Sequence, residues 1–422
     1  MRIEVPFGGG TLGIDVPAGL EVEFPTEPYL SEEDPAAAAR KALSFPSGSA
    51  PLESKARGAA DAVIIVPDAT RGSPTAAVLP LILDALEKAK IPARAVTVLV
   101  ARGLHRALTP AEREAALGPS ASRGVGLAEH DARGAIRDLG TAPGGAPLRM
   151  SEMVAAAKFV MSIGIVEPHQ YAGYSGGWKT VGIGCAGEET IAWTHAPRFL
   201  DSPRCRPGLV DGNPFLEVVK ENARRAGLKF ALNLVLGPRG GVVAAGAGDP
   251  GVVHRLLALR AKDAFALPVK NAADVALAGI GAPKDANLYQ ATRAASNLLY
   301  GPLEAVKPGG TIILPAPCPE GVGRGMGEQR FAEALRRGPA ALLADKGRTF
   351  LAGEQRAYMT AKVLATRKIV VVGSSIPPAD LQAMGLGSAA RVEDALKEAL
   401  SRGAKRLLVV QRALRAMPVA AR

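Results

Sequence analysis

Residues 165–195, IVEPHQYAGYSGGWKTVGIGCAGEETIAWTH, gather three side chains able to move protons, attack electrophiles or hold a metal: His169, Lys179 and His195. They surround a glycine-rich turn at 173–177, in a chain with five histidines in all. Glycine lets a backbone take positive φ and come close to a ligand, while imidazole and amine supply acid/base, ligating and nucleophilic chemistry. Cys185 lies between Lys179 and His195, so the stretch also reads as a metal site, although lysine is an uncommon ligand and the spacing fits no compact zinc pattern. Residues 175–179 lack Walker A spacing, and the GxGxxG match at 182–187 does not directly follow a strand candidate, so ordinary ATP or NAD binding is poorly supported. The plain alternative is a glycine-rich loop carrying a surface lysine and a core histidine.

Something must hold these groups, and the sequence points to strands of a parallel sheet. Continuous apolar runs at 62–66, 96–100 and 159–165 suit strands covered by helices on both faces. Each ends in polar chemistry: Asp68, Ala69, Thr70 and Arg71 after the first, Arg102 to Arg106 with His105 after the second, and Glu167 to His169 after the third. Ligands gather at the carboxyl ends of such strands, so the three loops are expected to converge on one crevice. Thr109, Pro110 and Glu112 read as an N-cap, a proline at N1 and a capping-box glutamate, placing His105 just before a helix. Taken alone, a loop histidine is more often a solvated surface residue.

Stepping along the rest of the chain gives an α/β protein of two domains with largely parallel sheets flanked by helices, the active site in the cleft between them. An opening hairpin, 2–6 and 11–16, turns at Gly8, Gly9 and Gly10. A second set of strands is expected at 275–280, 311–314, 369–372 and 407–410, and a weakly patterned stretch at 265–270 reads as the link. The expected domains are therefore 1–268 and 272–410, with 411–422 a helix packing back on the first. The alanine-rich stretch at 36–43 reads as helix, and no internal repeat stands out.

At 422 residues, with 48% hydrophobic and 22% charged, the chain can bury its cores without disulfides or metals. The three widely spaced cysteines argue against a disulfide framework and a structural zinc. No apolar run spans a membrane and the first residues do not resemble a secretory signal, so the expectation is a soluble cytoplasmic protein. The net charge of +11 is spread diffusely and aromatic residues are only 4%, which favours small anions over nucleic acid as partners.

DATR at 68–71, GLHR at 103–106, EPHQYAGYSGGWK at 167–179, WTH at 193–195 and PKDANLYQATR at 283–293 together resemble the nickel-dependent lactate racemase family, in order and over nearly the whole chain. The resemblance implies a two-domain α/β protein that binds a nickel pincer nucleotide, a pyridinium mononucleotide whose two thiocarboxyl-type arms hold nickel through sulfur and carbon. Asp68, Ala69, Thr70 and Arg71 match the loop that holds the nucleotide. Lys179 matches the lysine that can join one arm as a thioamide, and His195 the histidine that completes nickel coordination. His105 and His169 match the paired proton donors and acceptors, while Arg71, Gln290 and Arg293 fall where the family contacts substrate. Transient encounters with the proteins that build the cofactor are implied as well.

The chemistry is consistent with those roles. The C2 hydrogen of a 2-hydroxy acid is a poor acid because the neighbouring carboxylate opposes a carbanion, so its removal as hydride avoids that charge. One histidine takes the hydroxyl proton as hydride leaves for the pyridinium; return to the other face with the second histidine inverts the centre. Sulfur and imidazole nitrogen also suit Ni(II). Where lactate-type members carry lysine, this chain has Arg293, which keeps the charge and changes its reach, so the substrate is open. Trp178 reads as packing or as bulk in the glycine loop, and Tyr289 as pocket wall or filler. A sugar-acid epimerase, a redox enzyme on the same cofactor and a non-catalytic nickel or nucleotide carrier remain as rivals.

Overall fold

The structure, a computed structural model, describes residues 1–347 and 349–421, with the side chain of Thr70 outside that description. It divides into two compact units. The N-terminal unit comprises 29–194 and 203–264; the C-terminal unit comprises 1–28, 195–202 and 265–422. Among the described residues no helix is long and apolar enough to cross a membrane.

The N-terminal unit is built on a six-stranded sheet ordered Val242–Gly248, Leu228–Leu236, Phe159–Ile165, Ala62–Pro67, Val96–Ala101, Gly126–Glu129. Only the first pair is antiparallel. The central runs show no polar alternation because both faces are covered. Ile64, Val66, Val98 and Val100 pack with Leu79, Ile82 and Leu83 of the helix Thr75–Lys88. Val63, Ile65 and Leu99, one residue out of phase, pack on the other face with Val181, Cys185 and Ala223.

The C-terminal unit holds a second six-stranded sheet, wholly parallel, ordered Gly387–Ala389, Lys368–Val372, Val306–Pro315, Ala273–Ala278, Arg406–Val410, Glu21–Glu23. The hairpin Arg2–Phe7 and Gly10–Asp15 forms as the sequence indicates, with Gly8 at φ 55° in its turn. Its apolar side chains Ile3, Val5 and Ile14 pack on Val275, Leu277 and Ile313 of this sheet.

Two expectations about domain extent are corrected. Residues 1–28 belong with the C-terminal unit, because the hairpin's buried face and the strand Glu21–Glu23 find their partners there. The tail is not a helix on the first domain: Met417–Ala420 is a strand, parallel to Ala266–Val269 within the C-terminal unit. Pro418 disfavours a helix there and leaves an extended segment free to pair. The presumed link at 265–270 is thus partly strand, although the unit boundary does fall beside it, between Ala264 and Phe265.

Candidate functional site

Three neighbouring parallel strands, Phe159–Ile165, Ala62–Pro67 and Val96–Ala101, end side by side, and the middle loop reaches both its neighbours. On one side the buried Asp68 places Oδ2 3.1 Å from Nδ1 of His105. On the other, Arg71 Nη1 lies 3.9 Å from Glu167 Oε1, two residues before His169. Residues Ala69–Arg71 form a single 3-10 turn, closed by Arg71 N–H donating to the Asp68 carbonyl, which sends the two side chains to their separate partners.

The two loop histidines are held in different ways. A carboxylate can only accept, so the proton of neutral His105 sits on Nδ1, and Nε2 keeps its lone pair. For His169 the relation is reversed. Its Nδ1 accepts from the backbone N–H groups of Tyr171, at 3.3 Å, and Ala172, at 3.1 Å, so the ring proton sits on Nε2. The His169 ring also stacks on Phe215, centroids 6.2 Å apart, and meets Tyr171 edge-on at 5.5 Å. Read from their partners, the rings occupy opposite tautomers.

The glycine turn is fixed from several directions. Gly173 and Tyr174 pair with His169 and Pro168 in a short antiparallel ribbon. Gly173 has φ 76°, and a Cβ there would lie 2.1 Å from the Leu209 carbonyl oxygen, so only glycine fits. Ser175 donates its hydroxyl to the Ile165 carbonyl and its N–H to that of Glu167. Gly177 N–H donates to Asn233 Oδ1 at 3.0 Å, and His254 Nε2 donates to the Ser175 carbonyl at 3.1 Å. Burial pushes His254 down to about 4, so it is neutral at ordinary pH. Lys179, half-buried, sits in the short helix Gly177–Gly182 that follows.

Several sequence readings are resolved here. The glycines at 182 and 184 serve close packing: a Cβ on Gly182 would lie 2.2 Å from the Val219 carbonyl oxygen, and one on Gly184 2.3 Å from that of Thr180. Cys185 is fully buried in the core, which pushes its thiol well above the ordinary range and removes it as a ligand. Trp178 is a packing residue, partly buried against the core cluster of Val63, Ile65 and Val181. His130 donates Nε2–H to the Ala186 carbonyl and is depressed by burial. Two of the histidines are therefore structural. Thr70, the remaining member of the 68–71 loop, has its side chain outside the described residues.

In the C-terminal unit, Gln290 and Arg293 lie on the consecutive helices Leu288–Ala291 and Arg293–Tyr300. Asn287 caps the first by accepting from Gln290 N–H, and Arg293 Nη1 donates to Gln290 Oε1 at 3.1 Å, so the two side chains meet. Tyr289 packs edge-on to Phe331, with the Arg356 guanidinium 5.7 Å from its ring centre, which settles it as packed within this unit. His195, half-buried, begins the 195–202 segment of the same unit. That segment is fastened at its far end by Asp201, which accepts from Tyr358 Oη at 2.8 Å and pairs with Lys362 at 3.0 Å.

Sequence reasoning missed Glu167 as the partner of Arg71, and Asn233 and His254 as supports of the glycine turn. Glu167 stood in the quoted motif; Asn233 and His254 are distant in sequence and carried no local signal. Among the described residues no three His, Cys, Asp or Glu side chains are grouped to hold a metal.

Comparison with known proteins adds the following. Residues 7–208 match a family model described as the lactate racemase N-terminal domain, and 269–412 one described as the lactate racemase C-terminal domain. The chain is 30% identical over 386 residues to the lactate racemase of Thermoanaerobacterium thermosaccharolyticum, covering 89% of this chain and 88% of that one. It is 32% identical over 298 residues to that of Lactiplantibacillus plantarum, covering 70% and 68%. The lactate racemase apoprotein structure from T. thermosaccharolyticum superposes with a TM-score of 0.87 at 28% identity, over 99% of this chain and 100% of that one. A protein from Thermotoga maritima shares the fold, with a TM-score of 0.72 at 18% identity, over 92% of this chain and 100% of the other.

Proposed function

Because the chain belongs to the lactate racemase family, we propose that it is a cytoplasmic racemase or epimerase inverting C2 of a 2-hydroxy acid, lactate or a close relative. The observation that carries this reading is the pair of opposite tautomers: His105 presents a lone pair at Nε2 and His169 a proton. Inversion needs both, a group that removes the hydroxyl proton as C2 is oxidised and one that returns a proton as it is reduced on the other face.

In this reading Arg71 grips the substrate carboxylate with its planar fork, oriented by Glu167. His105 Nε2 takes the hydroxyl proton, and the imidazolium so formed is neutralised by Asp68. The product of that half-reaction is a planar 2-keto acid. His169 Nε2–H then gives its proton to the re-forming hydroxyl; the imidazolate this leaves is held at Nδ1 by the N–H groups of Tyr171 and Ala172 until it regains a proton from solvent, to which His105 returns its own. The resemblance gives Gln290 and Arg293, which meet through Arg293 Nη1 and Gln290 Oε1, a part in binding the substrate.

The residues present fit the nickel pincer nucleotide that the resemblance implies by the chemistry of their donors: the Lys179 amine just after a glycine turn in which Gly173 has no room for a Cβ, and the His195 imidazole. Lys179 would hold it covalently, His195 would ligate nickel, and the 68–71 loop would flank the nucleotide. When bound, the group supplies the acceptor for the C2 hydrogen and its electron pair. Asp68 has a more definite part than the loop assignment gave it, since its carboxylate is engaged by His105.

A 2-hydroxy acid other than lactate is the second reading of the substrate, favoured by Arg293, which keeps the charge of the lysine the resemblance implies there and changes its reach and geometry. Protein isolated from a host that makes the cofactor, incubated with single enantiomers of lactate, malate and larger 2-hydroxy acids, should racemise one of them. His105→Ala or His169→Ala should each lower the rate by about 10²-fold or more. Release of keto acid without inversion, or no reaction with any of them, overturns the reading.

A further inference from the structure

His105 is carried on an exposed loop, residues 102–109, and one carboxylate from a strand outside that loop holds both its ends. Glu129 closes the edge strand Gly126–Glu129. Its Oε2 accepts from Leu108 N–H at 2.9 Å, at the far end of the loop, and lies 3.8 Å from Arg102 Nε, at the near end. Its Oε1 accepts from Arg113 Nη1, on the helix Pro110–Leu117 that follows. Arg102 in turn donates Nη1–H to the carbonyl of His105 itself at 2.8 Å and accepts from His105 N–H through its own carbonyl.

We infer that Glu129 is a positioning residue for His105: it fixes the loop so that Nδ1 meets Asp68 and the lone pair is left at Nε2. Its side chain is 11% exposed, against 44% for Arg113, so the charge is sequestered where its contacts are least screened by water. The Asp68–His105 contact alone cannot do this work. It fixes one ring nitrogen, whereas Arg102 and Glu129 fix the backbone that carries the ring. The inference rests on the role given to His105 above, and its test separates the two.

The test uses Glu129→Ala and Glu129→Gln, alone and with His105→Ala, in protein carrying its cofactor, together with amide hydrogen exchange on the apoprotein. A misplacement of about an ångström costs on the order of 100-fold. Glu129→Ala should therefore lose about that factor in kcat, with KM within about threefold. Glu129→Gln keeps an acceptor for Leu108 N–H and should fall between. In the His105→Ala background Glu129→Ala should cost nothing more, because the two act through one group. Amides 103–108 should exchange faster in both variants while the strands Ala62–Pro67 and Val96–Ala101 stay protected. Additive losses in the double variant, or unchanged exchange in the loop, or loosening spread across the sheet, overturn the inference. If His105→Ala keeps full activity, the functional reading falls, and the exchange experiment still decides whether Glu129 orders the loop. Should Glu129→Ala fail to fold, Glu129→Gln carries both measurements.

Discussion

An imidazole nitrogen acts as a base only while the other nitrogen holds the proton, and at His105 that condition is met by a single carboxylate oxygen. Asp68→Asn presents an amide that can donate as readily as accept, which frees the ring to take the unproductive tautomer. The expected result is a fall in kcat of about 10²- to 10⁴-fold with little change in the fold. Nitrogen-15 spectra of the imidazoles provide the check: in the parent, neutral His105 should carry its proton on Nδ1 and neutral His169 on Nε2, and finding the same tautomer in both would remove the asymmetry. The histidines themselves were legible in the sequence as loop residues after apolar runs. Their partners were not. Asp68 and His105 are joined by the lateral pairing of Ala62–Pro67 with Val96–Ala101, a tertiary fact that no local spacing records. Tyr171 and Ala172 act on His169 through backbone, for which side-chain identity carries no signal.

Secondary elements place these groups through constraints of different strength. The tightest is the glycine turn, where Gly173 combines a positive φ with a carbonyl in its side-chain space. Gly173→Ala should lower the unfolding free energy by about 1–3 kcal/mol, read from the urea midpoint, and should displace His169, its ribbon partner. An unchanged midpoint would mean that the turn relaxes freely. The same turn hangs on His254. Its value near 4 lies below the ordinary 6.5, so between those limits the unfolded chain binds a proton that the folded chain excludes. Stability is then fully present above pH 6.5 and is lost as pH falls, by up to about 1.4 kcal/mol per unit. His254→Gln should flatten that slope in denaturant melts between about pH 7 and pH 5; His130, also depressed by burial, leaves a residual dependence. The central strands, the opening hairpin and the capping box at Thr109 were readable because apolar runs, glycine turns and caps are local signals. The antiparallel edge Val242–Gly248, VVAAGAG, was missed because alanine and glycine are depleted in strands and give no strand signal.

Across the whole molecule, the division into units is where sequence order misled most. The chain crosses between the units at 28, 194, 202 and 264, so the C-terminal unit draws on three separate stretches. Nothing in composition marks residues 1–28 as belonging with a sheet whose other strands begin at Ala273. Their burial makes the consequence measurable. Ile3, Val5 and Ile14 each contribute roughly 1.5–3 kcal/mol by leaving water. A chain starting at residue 29 should expose Val275, Leu277 and Ile313, bind a hydrophobic dye and lose the C-terminal unit's cooperative melt while the N-terminal sheet persists. Retention of both melts would show that the hairpin is dispensable.

The pairing of Glu21–Glu23 with Arg406–Val410 also sets a schedule for the nascent chain. Residues 1–28 cannot dock until the strands between Ala273 and Val410 have been made, so their apolar side chains stay uncovered for that interval of synthesis. Residues 29–194, by contrast, carry most of their own sheet and can begin to collapse early. Chaperone access to residues 1–28 during that interval therefore bears on whether this protein matures, although no residue proposed to touch substrate lies among them.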